Sequence, residues 1–151
     1  MQRVDFHVLS GADPRERLKH ACRVVEKAYL ADQRVLVWFD TPAELAAFDE
    51  LLWNFGDRSF VPHETLATGP DWEEAPVWLG SAPRAASDCD LLVNLASAVP
   101  PAAELAPRVI EVIDADEQRR RSGRTRFRAY RERGVEPATH TIGGGDPTPE
   151  D

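Results

Sequence analysis

Arg34-Val-Leu-Val-Trp-Phe-Asp-Thr-Pro-Ala-Glu44 passes from one structural period to another within a few residues. The first part, residues 34–39, is almost continuously apolar, as in a strand covered on both faces. Thr41 then stands as an N-cap, Pro42 suits the first helical position, and Glu44 sits where a capping-box acid belongs. Leu45, Phe48, Leu52 and Trp53 follow on the apolar side of the helix that begins there. The same grammar lies upstream. Val4, Phe6 and Val8 alternate with Asp5 and His7, which predicts a strand over residues 3–9. Asp13, Pro14 and Glu16 repeat the start signal, and Leu18, Ala21, Cys22, Val25, Ala28 and Tyr29 keep helical spacing to about residue 31. Strand, helix, strand and helix in this order imply βαβ units and a parallel sheet.

Downstream, residues 54–58 read as a turn, and Ser59-Phe-Val-Pro-His63 is short and extended because Val61 precedes a proline. Residues 64–74 are polar with Gly and Pro, which predicts a surface loop. Residues 76–79, 90–95 and 108–113 predict three more strands, so the sheet should have about five. Pro100-Pro-Ala-Ala-Glu-Leu-Ala-Pro107 has room for one helical turn. Residues 117–133 are rich in helix formers, and Gly134 is a natural stop. The chain then loosens. Gly143-Gly-Gly-Asp-Pro-Thr-Pro-Glu-Asp151 is expected to be a disordered tail, leaving one domain over residues 1–142.

Charge is unevenly spread. The chain carries a net charge of -8, yet eight of its eighteen basic residues fall between Arg119 and Arg133 beside the single acid Glu132. That window holds +7 and the remainder -15. Arg120, Arg124, Phe127 and Arg131 share one helical face, which suits a ligand both anionic and apolar. An acidic body does not suit non-specific duplex DNA binding. No apolar run approaches the roughly 18 residues of a membrane span. The first residues lack a signal-peptide layout, and Cys22 and Cys89 are too few for a disulfide framework. A cytoplasmic protein with reduced thiols is expected.

Catalytic signatures are missing. Ser10-Gly-Ala-Asp-Pro14, in the turn where an α/β fold would hold a phosphate, matches neither glycine-rich pattern, and Asp13 would repel an anion. His7, His20, His63 and His140 show no metal-ligand spacing. Asp88 and Asp90 read as a solvated strand entrance rather than a catalytic pair. No catalytic residue, metal or cofactor is assigned.

Several segments together resemble the chi subunit family of bacterial DNA polymerase III holoenzyme. They are Leu52-Trp53, Ser59-Phe-Val-Pro-His63, Gly69-Pro70, Ala75-Pro-Val77, Asp90-Leu-Leu-Val-Asn-Leu95, Val112-Ile113 and Arg126-Phe-Arg-Ala-Tyr-Arg131. The likeness runs from the first strand to about residue 141 and is specific as a set rather than in any one piece. It implies a three-layer α/β/α domain with a mostly parallel sheet, Rossmann-like without a phosphate loop. It also implies a non-catalytic replication adaptor with two binding surfaces. One would take the acidic C-terminal tail of single-stranded DNA-binding protein, which ends in Phe and a free carboxylate. Carried over residue by residue, that surface comprises Ile113, Arg120, Arg124, Phe127 and Arg128. Arg120 stands where the family favours Lys, and Phe127 where it favours Tyr; charge and ring are both kept. The other surface would bind the psi subunit, or another clamp-loader or helicase partner, through Trp53, Phe60, Pro62 and His63.

Two rival readings rest on the residues alone. One is a nucleotide-binding enzyme with a non-standard loop; the other is direct single-stranded DNA binding by the arginine face.

Overall fold

The computed structural model describes residues 2–55, 61–65, 71–81, 89–104 and 106–142. The amino-terminal βαβ grammar becomes β1 (Arg3–Leu9), α1 (Pro14–Leu30), β2 (Val35–Phe39) and α2 (Pro42–Trp53). Both helices start where capping chemistry places them. The Asp13 carboxylate accepts the Arg15 N–H at 2.9 Å, and the Thr41 hydroxyl accepts the Glu44 N–H at 3.2 Å. There follow β3 (His63–Thr65), β4 (Val77–Ser81), β5 (Leu91–Asn94), a 3₁₀ turn (Pro101–Glu104), β6 (Arg108–Ile113), α3 (Glu117–Glu132) and β7 (Ala138–Ile142).

The described strands form one seven-stranded sheet in the order β3-β4-β2-β5-β6-β1-β7. Every pairing in it is parallel. The expectation of about five strands is therefore corrected to seven. The two extra strands are the edges. β3 is three residues long and exposes Glu64 and Thr65, so it takes up the start of a segment that reads as a loop. β7 exposes most of its residues and buries Ile142, so it lacks the apolar run by which β2 announces itself. Residues 143–151 and Phe60 lie outside the described residues.

Helices cover both faces. α1 and α2 pack Ala21, Cys22, Val25, Leu45, Phe48 and Leu52 onto Val35, Val37, Leu79, Val93, Ile110 and Val112. On the other face, Tyr130 of α3 and Ala103 of the 3₁₀ turn join Val4, Phe6, Leu36, Trp38, Leu92 and Val109. The result is the three-layer α/β/α arrangement. The order of strands carries the chain from β1 over β6 and β5 to β2, then back through β5 and β6 to α3. α3 lies on the face away from α1 and runs from the carboxyl end of β6 back toward its start, where Arg133 meets Glu104 at 3.8 Å.

At the amino-terminal entrance of the sheet, Asp90 accepts the Arg34 N–H at 2.8 Å and pairs with its guanidinium at 3.3 Å. The backbone hydrogen bond from Arg34 is the main cause that holds its carboxyl below the usual carboxylate range. Asp90 is thus a clasp between neighbouring strands; Asp88 lies outside the described residues.

Candidate functional site

The site begins with how α3 is fixed. Asp116 caps it, accepting the Arg119 N–H at 2.9 Å. Beneath the helix, Glu111 of β6 is fully buried and accepts from Arg126 Nε at 2.9 Å and from the Tyr130 hydroxyl at 2.8 Å. Asn94 Nδ2 reaches both Glu111 oxygens at 3.0 Å. Arg126 also donates to the Ser97 carbonyl at 3.0 Å. A buried carboxylate is tolerable only with such full pairing. Burial first, and then the Glu111 charge, push the Tyr130 phenol far above its ordinary value, so it stays a donor. Two members of the Arg126–Arg131 motif therefore point inward and hold the helix down.

The helix also comes unusually close. A Cβ placed on Gly123 would lie 2.3 Å from Ile113 Cδ1, so a larger residue there requires the end of the Ile113 side chain to move. Between helix and sheet, a cavity of about 270 Å³ opens, lined by Phe6, Val8, Ile113, Gly123, Phe127 and Thr139 with Arg120 and Arg124. The Phe127 ring tilts at 53° against Phe6, 5.2 Å between centroids. Ile113 is buried and Phe127 half-buried, while Arg120 and Arg124 are exposed at the mouth.

The surrounding cations are not equivalent. Arg126 is paired with Glu111 at 2.9 Å, Arg119 with Asp114 at 2.8 Å, Arg131 with Glu136 at 3.3 Å and Arg121 with Glu117 at 3.5 Å. The +7 window is therefore only in part a surface charge. Arg120 donates to the Asp114 carbonyl at 3.2 Å, which orients it without neutralising it. Among the described residues, no carboxylate pairs with Arg120 or Arg124. Asp114 is fully buried; burial alone would raise its pKa, but the Arg119 hydrogen bonds and the Asp116 N–H outweigh it and hold it low.

The structure thus brings Ile113, Arg120, Arg124 and Phe127 to one cavity. Arg128 is not part of its lining; it is exposed and its guanidinium reaches Thr125 Oγ1 at 3.5 Å. One residue past Phe127 turns about 100° around the helix, which carries Arg128 away from the mouth. Phe6, Val8 and Thr139 were not foreseen. They sit on strands distant in sequence, and pairing of Phe6 with Thr139 places β7 beside β1. Gly123 was a usable signal, because a glycine inside a strong helix marks close packing.

On α2, Trp53 is 46% exposed rather than turned into the core with Leu52. Its ring lies 4.3 Å from the His63 ring between centroids, tilted by 41°. His63 itself is buried, bonded through Nδ1 to the Val61 carbonyl at 2.7 Å and through Nε2 to Asp49 at 2.8 Å. His63 therefore props Trp53 instead of presenting itself, and Pro62 beside it is half-buried.

A second hollow, about 240 Å³, lies at the carboxyl ends of β2, β5 and β6, where open α/β sheets bind ligands. Arg17 crosses it to the carbonyls of Val112 and Leu95, at 3.0 and 2.9 Å. Asp40 is engaged by the Ser97 N–H at 3.0 Å, and Glu44 and Asp116 add further negative charge. Arg17, Arg119 and Arg126 of the same lining balance those three acids, so the hollow presents no net positive charge to a nucleotide phosphate. Among the described residues there is no cluster of potential metal ligands, and no helix is long and apolar enough to cross a membrane.

Fold and site together define a parallel α/β domain whose first strand–helix turn carries no phosphate-loop motif. Residues 1–138 match the family described as DNA polymerase III chi subunit, HolC. The chain is 35% identical over 142 residues to the DNA polymerase III subunit chi of Pseudomonas aeruginosa, covering 94% of this chain and 98% of that one. It is 27% identical to the Escherichia coli protein of the same name, over 80% of this chain and 82% of that one. The Haemophilus influenzae counterpart is 25% identical, over 82% and 85%. The chain belongs to the DNA polymerase III chi subunit family, whose members are subunits of a replicative polymerase.

Proposed function

We propose that this chain is a non-catalytic adaptor of DNA replication that captures the acidic C-terminal tail of single-stranded DNA-binding protein. The observation that carries this reading is the pairing of carboxylate-free Arg120 and Arg124 with an apolar cavity floored by Phe6, Val8, Ile113 and Phe127. A terminal Phe ring fills the cavity, and its free carboxylate takes a forked hydrogen bond from an arginine at the mouth. Upstream aspartates of the tail face the remaining exposed cations, Arg128 among them. Buried ring and rim charges divide the work, the first giving residence and the second steering. An affinity of about 1 µM, roughly -8 kcal/mol, follows for a contact of this size. The exposed Trp53, seated against His63, supports a second docking surface for the psi subunit or another clamp-loader or helicase partner, to which the family resemblance adds Phe60 and Pro62.

Titration of a labelled acidic peptide ending in Asp-Phe-COOH tests the first surface. Arg124→Ala and Phe127→Ala should each weaken binding about tenfold or more, consistent with loss of one charge-assisted contact or one buried ring. An amidated peptide should bind at least about tenfold more weakly than the free acid. Equal binding of acid and amide would overturn the tail assignment. Tight binding of single-stranded DNA at physiological salt would favour the arginine face as a nucleic-acid surface instead.

A further inference from the structure

The face of the sheet opposite α3 holds a larger cavity, about 320 Å³, between α1 and the sheet. Its sheet side is made by His7 of β1, Leu91 of β5, and Arg108 and Ile110 of β6. It is separated from the α3 pocket by the sheet itself. Val24, Ala28, Leu91 and Ile110 give it an apolar interior. A buried polar wall is supplied by His7 Nδ1 and His20 Nε2, hydrogen-bonded at 2.8 Å. Arg23, Lys27 and Arg108 add cations toward the solvent side of the lining.

The charge of this lining is opposite to that of the molecule. The chain carries a net charge of -8, yet the lining residues include three cations and no acid. Asp5, the buried acid of β1, stands outside the lining, 2.9 Å from Arg3 Nε, 2.9 Å from His140 Nε2 and 3.6 Å from Arg108 Nε. One opposing effect exists, since the carboxyl end of α1 faces this region. Its carbonyls are partly answered: Ala28 O accepts from Ala31 N at 3.1 Å and from Gln33 N at 3.0 Å. A helix end is worth about half a charge, and Arg108 already faces Asp5 at 3.6 Å, so the exposed cations of the lining are Arg23 and Lys27.

We propose that this cavity is a binding site for a small amphipathic anion, a carboxylate or phosphate monoester on a short apolar body. The body would rest on Val24, Ala28, Leu91 and Ile110, and the anionic head would meet Arg23, Lys27 and Arg108. The volume lies at the small end of the roughly 300–1,000 Å³ of ligand clefts, which fits one compact molecule rather than a peptide segment. Arg23 and Lys27 are exposed, so they can close over a head group without disturbing the core.

The test is an NMR titration of the full chain with hexanoate, hexanol and inorganic phosphate. Hexanoate should give saturable shifts at Val24, Ala28, Leu91 and Ile110 and in the imidazole signals of His7 and His20. Hexanol and phosphate should each bind about tenfold more weakly, because each supplies half of the recognition. Arg23→Gln combined with Lys27→Gln should weaken hexanoate about fivefold or more and leave the melting temperature within about 2 °C, as expected of exposed positions. Hexanol binding as tightly as hexanoate would overturn the proposal. So would unchanged affinity in the double variant, shifts confined to the Ile113 and Phe127 side, or no saturation up to about 20 mM, where a site of this kind would have half-filled.

Discussion

Gly123 shows how one missing side chain shapes a surface. Because α3 sits against Ile113 with no room for a Cβ, Gly123→Ala must push Ile113 aside or lift the helix. Ile113 Cδ1 is the free end of a side chain and Ala favours the helix by about 1 kcal/mol, so stability in urea unfolding should change by no more than about 1 kcal/mol. Tail-peptide affinity should fall, and calorimetry on the same sample reads both. Cys22 makes the opposite point, that a reactive residue type can be inert. It is wholly buried on α1, and burial pushes its thiol up to about 12. A thiol-specific reagent at pH 8 should leave Cys22 unmodified in the folded protein and modify it promptly in denaturant. Rapid native labelling at Cys22 would show that α1 opens locally.

The elements differ in how plainly the sequence announces them. β2 and α2 are explicit, because a buried parallel strand must be apolar throughout and a helix must be capped. β7 is silent. Its Ala-Thr-His-Thr-Ile pattern fits an edge strand or a loop equally, and only the pairing of Asp5 through Leu9 with Ala138 through Ile142 decides it. The site divides in the same way. Arg120, Arg124 and Phe127 are visible as a helical face, since helical spacing is local. Phe6, Val8 and Thr139 are not, since they reach the cavity through sheet order. Trp53 reads as core by period and is half-exposed because it lies in the last turn, where α2 runs out past the sheet. Glu111, an acid within an apolar strand, was the unread cue to the clamp under α3. Tyr130→Phe should remove one donor from Glu111 while Arg126 and Asn94 keep the others. A stability loss of about 1–2 kcal/mol is expected, with faster amide exchange along α3, measured by native-state hydrogen exchange.

At the scale of the molecule, the buried carboxylates set an acid limit. Asp5 and Asp114 are both held below the ordinary carboxylate range despite burial, which alone would raise them. The His140 hydrogen bond and the Arg3 and Arg108 charges act on Asp5, and Arg119 chiefly on Asp114. In each case the folded pKa lies below the unfolded one, so the unfolded chain takes up its protons first as the pH falls. Their contribution is therefore complete above the ordinary aspartate pKa of about 4 and is lost progressively below it. The part of the stability that these two aspartates supply should fall steeply below about pH 4. Asp114→Asn should cost about 1–3 kcal/mol at pH 7, the penalty for breaking a buried charged hydrogen bond. It should also give a shallower acid limb, read by urea unfolding across pH. An unchanged limb would mean that other groups govern acid unfolding.

The strand order also has a consequence for synthesis. β1 is the first strand to be made, yet its two neighbours are β6 and β7, the last two. Leaving the ribosome, β1 has no partner until Arg108 through Ile113 have emerged, and its outer side stays bare until Ala138 through Ile142 follow. β1 must therefore wait unpaired until residues 108–142 have been made, and its pairing sets the pace of folding.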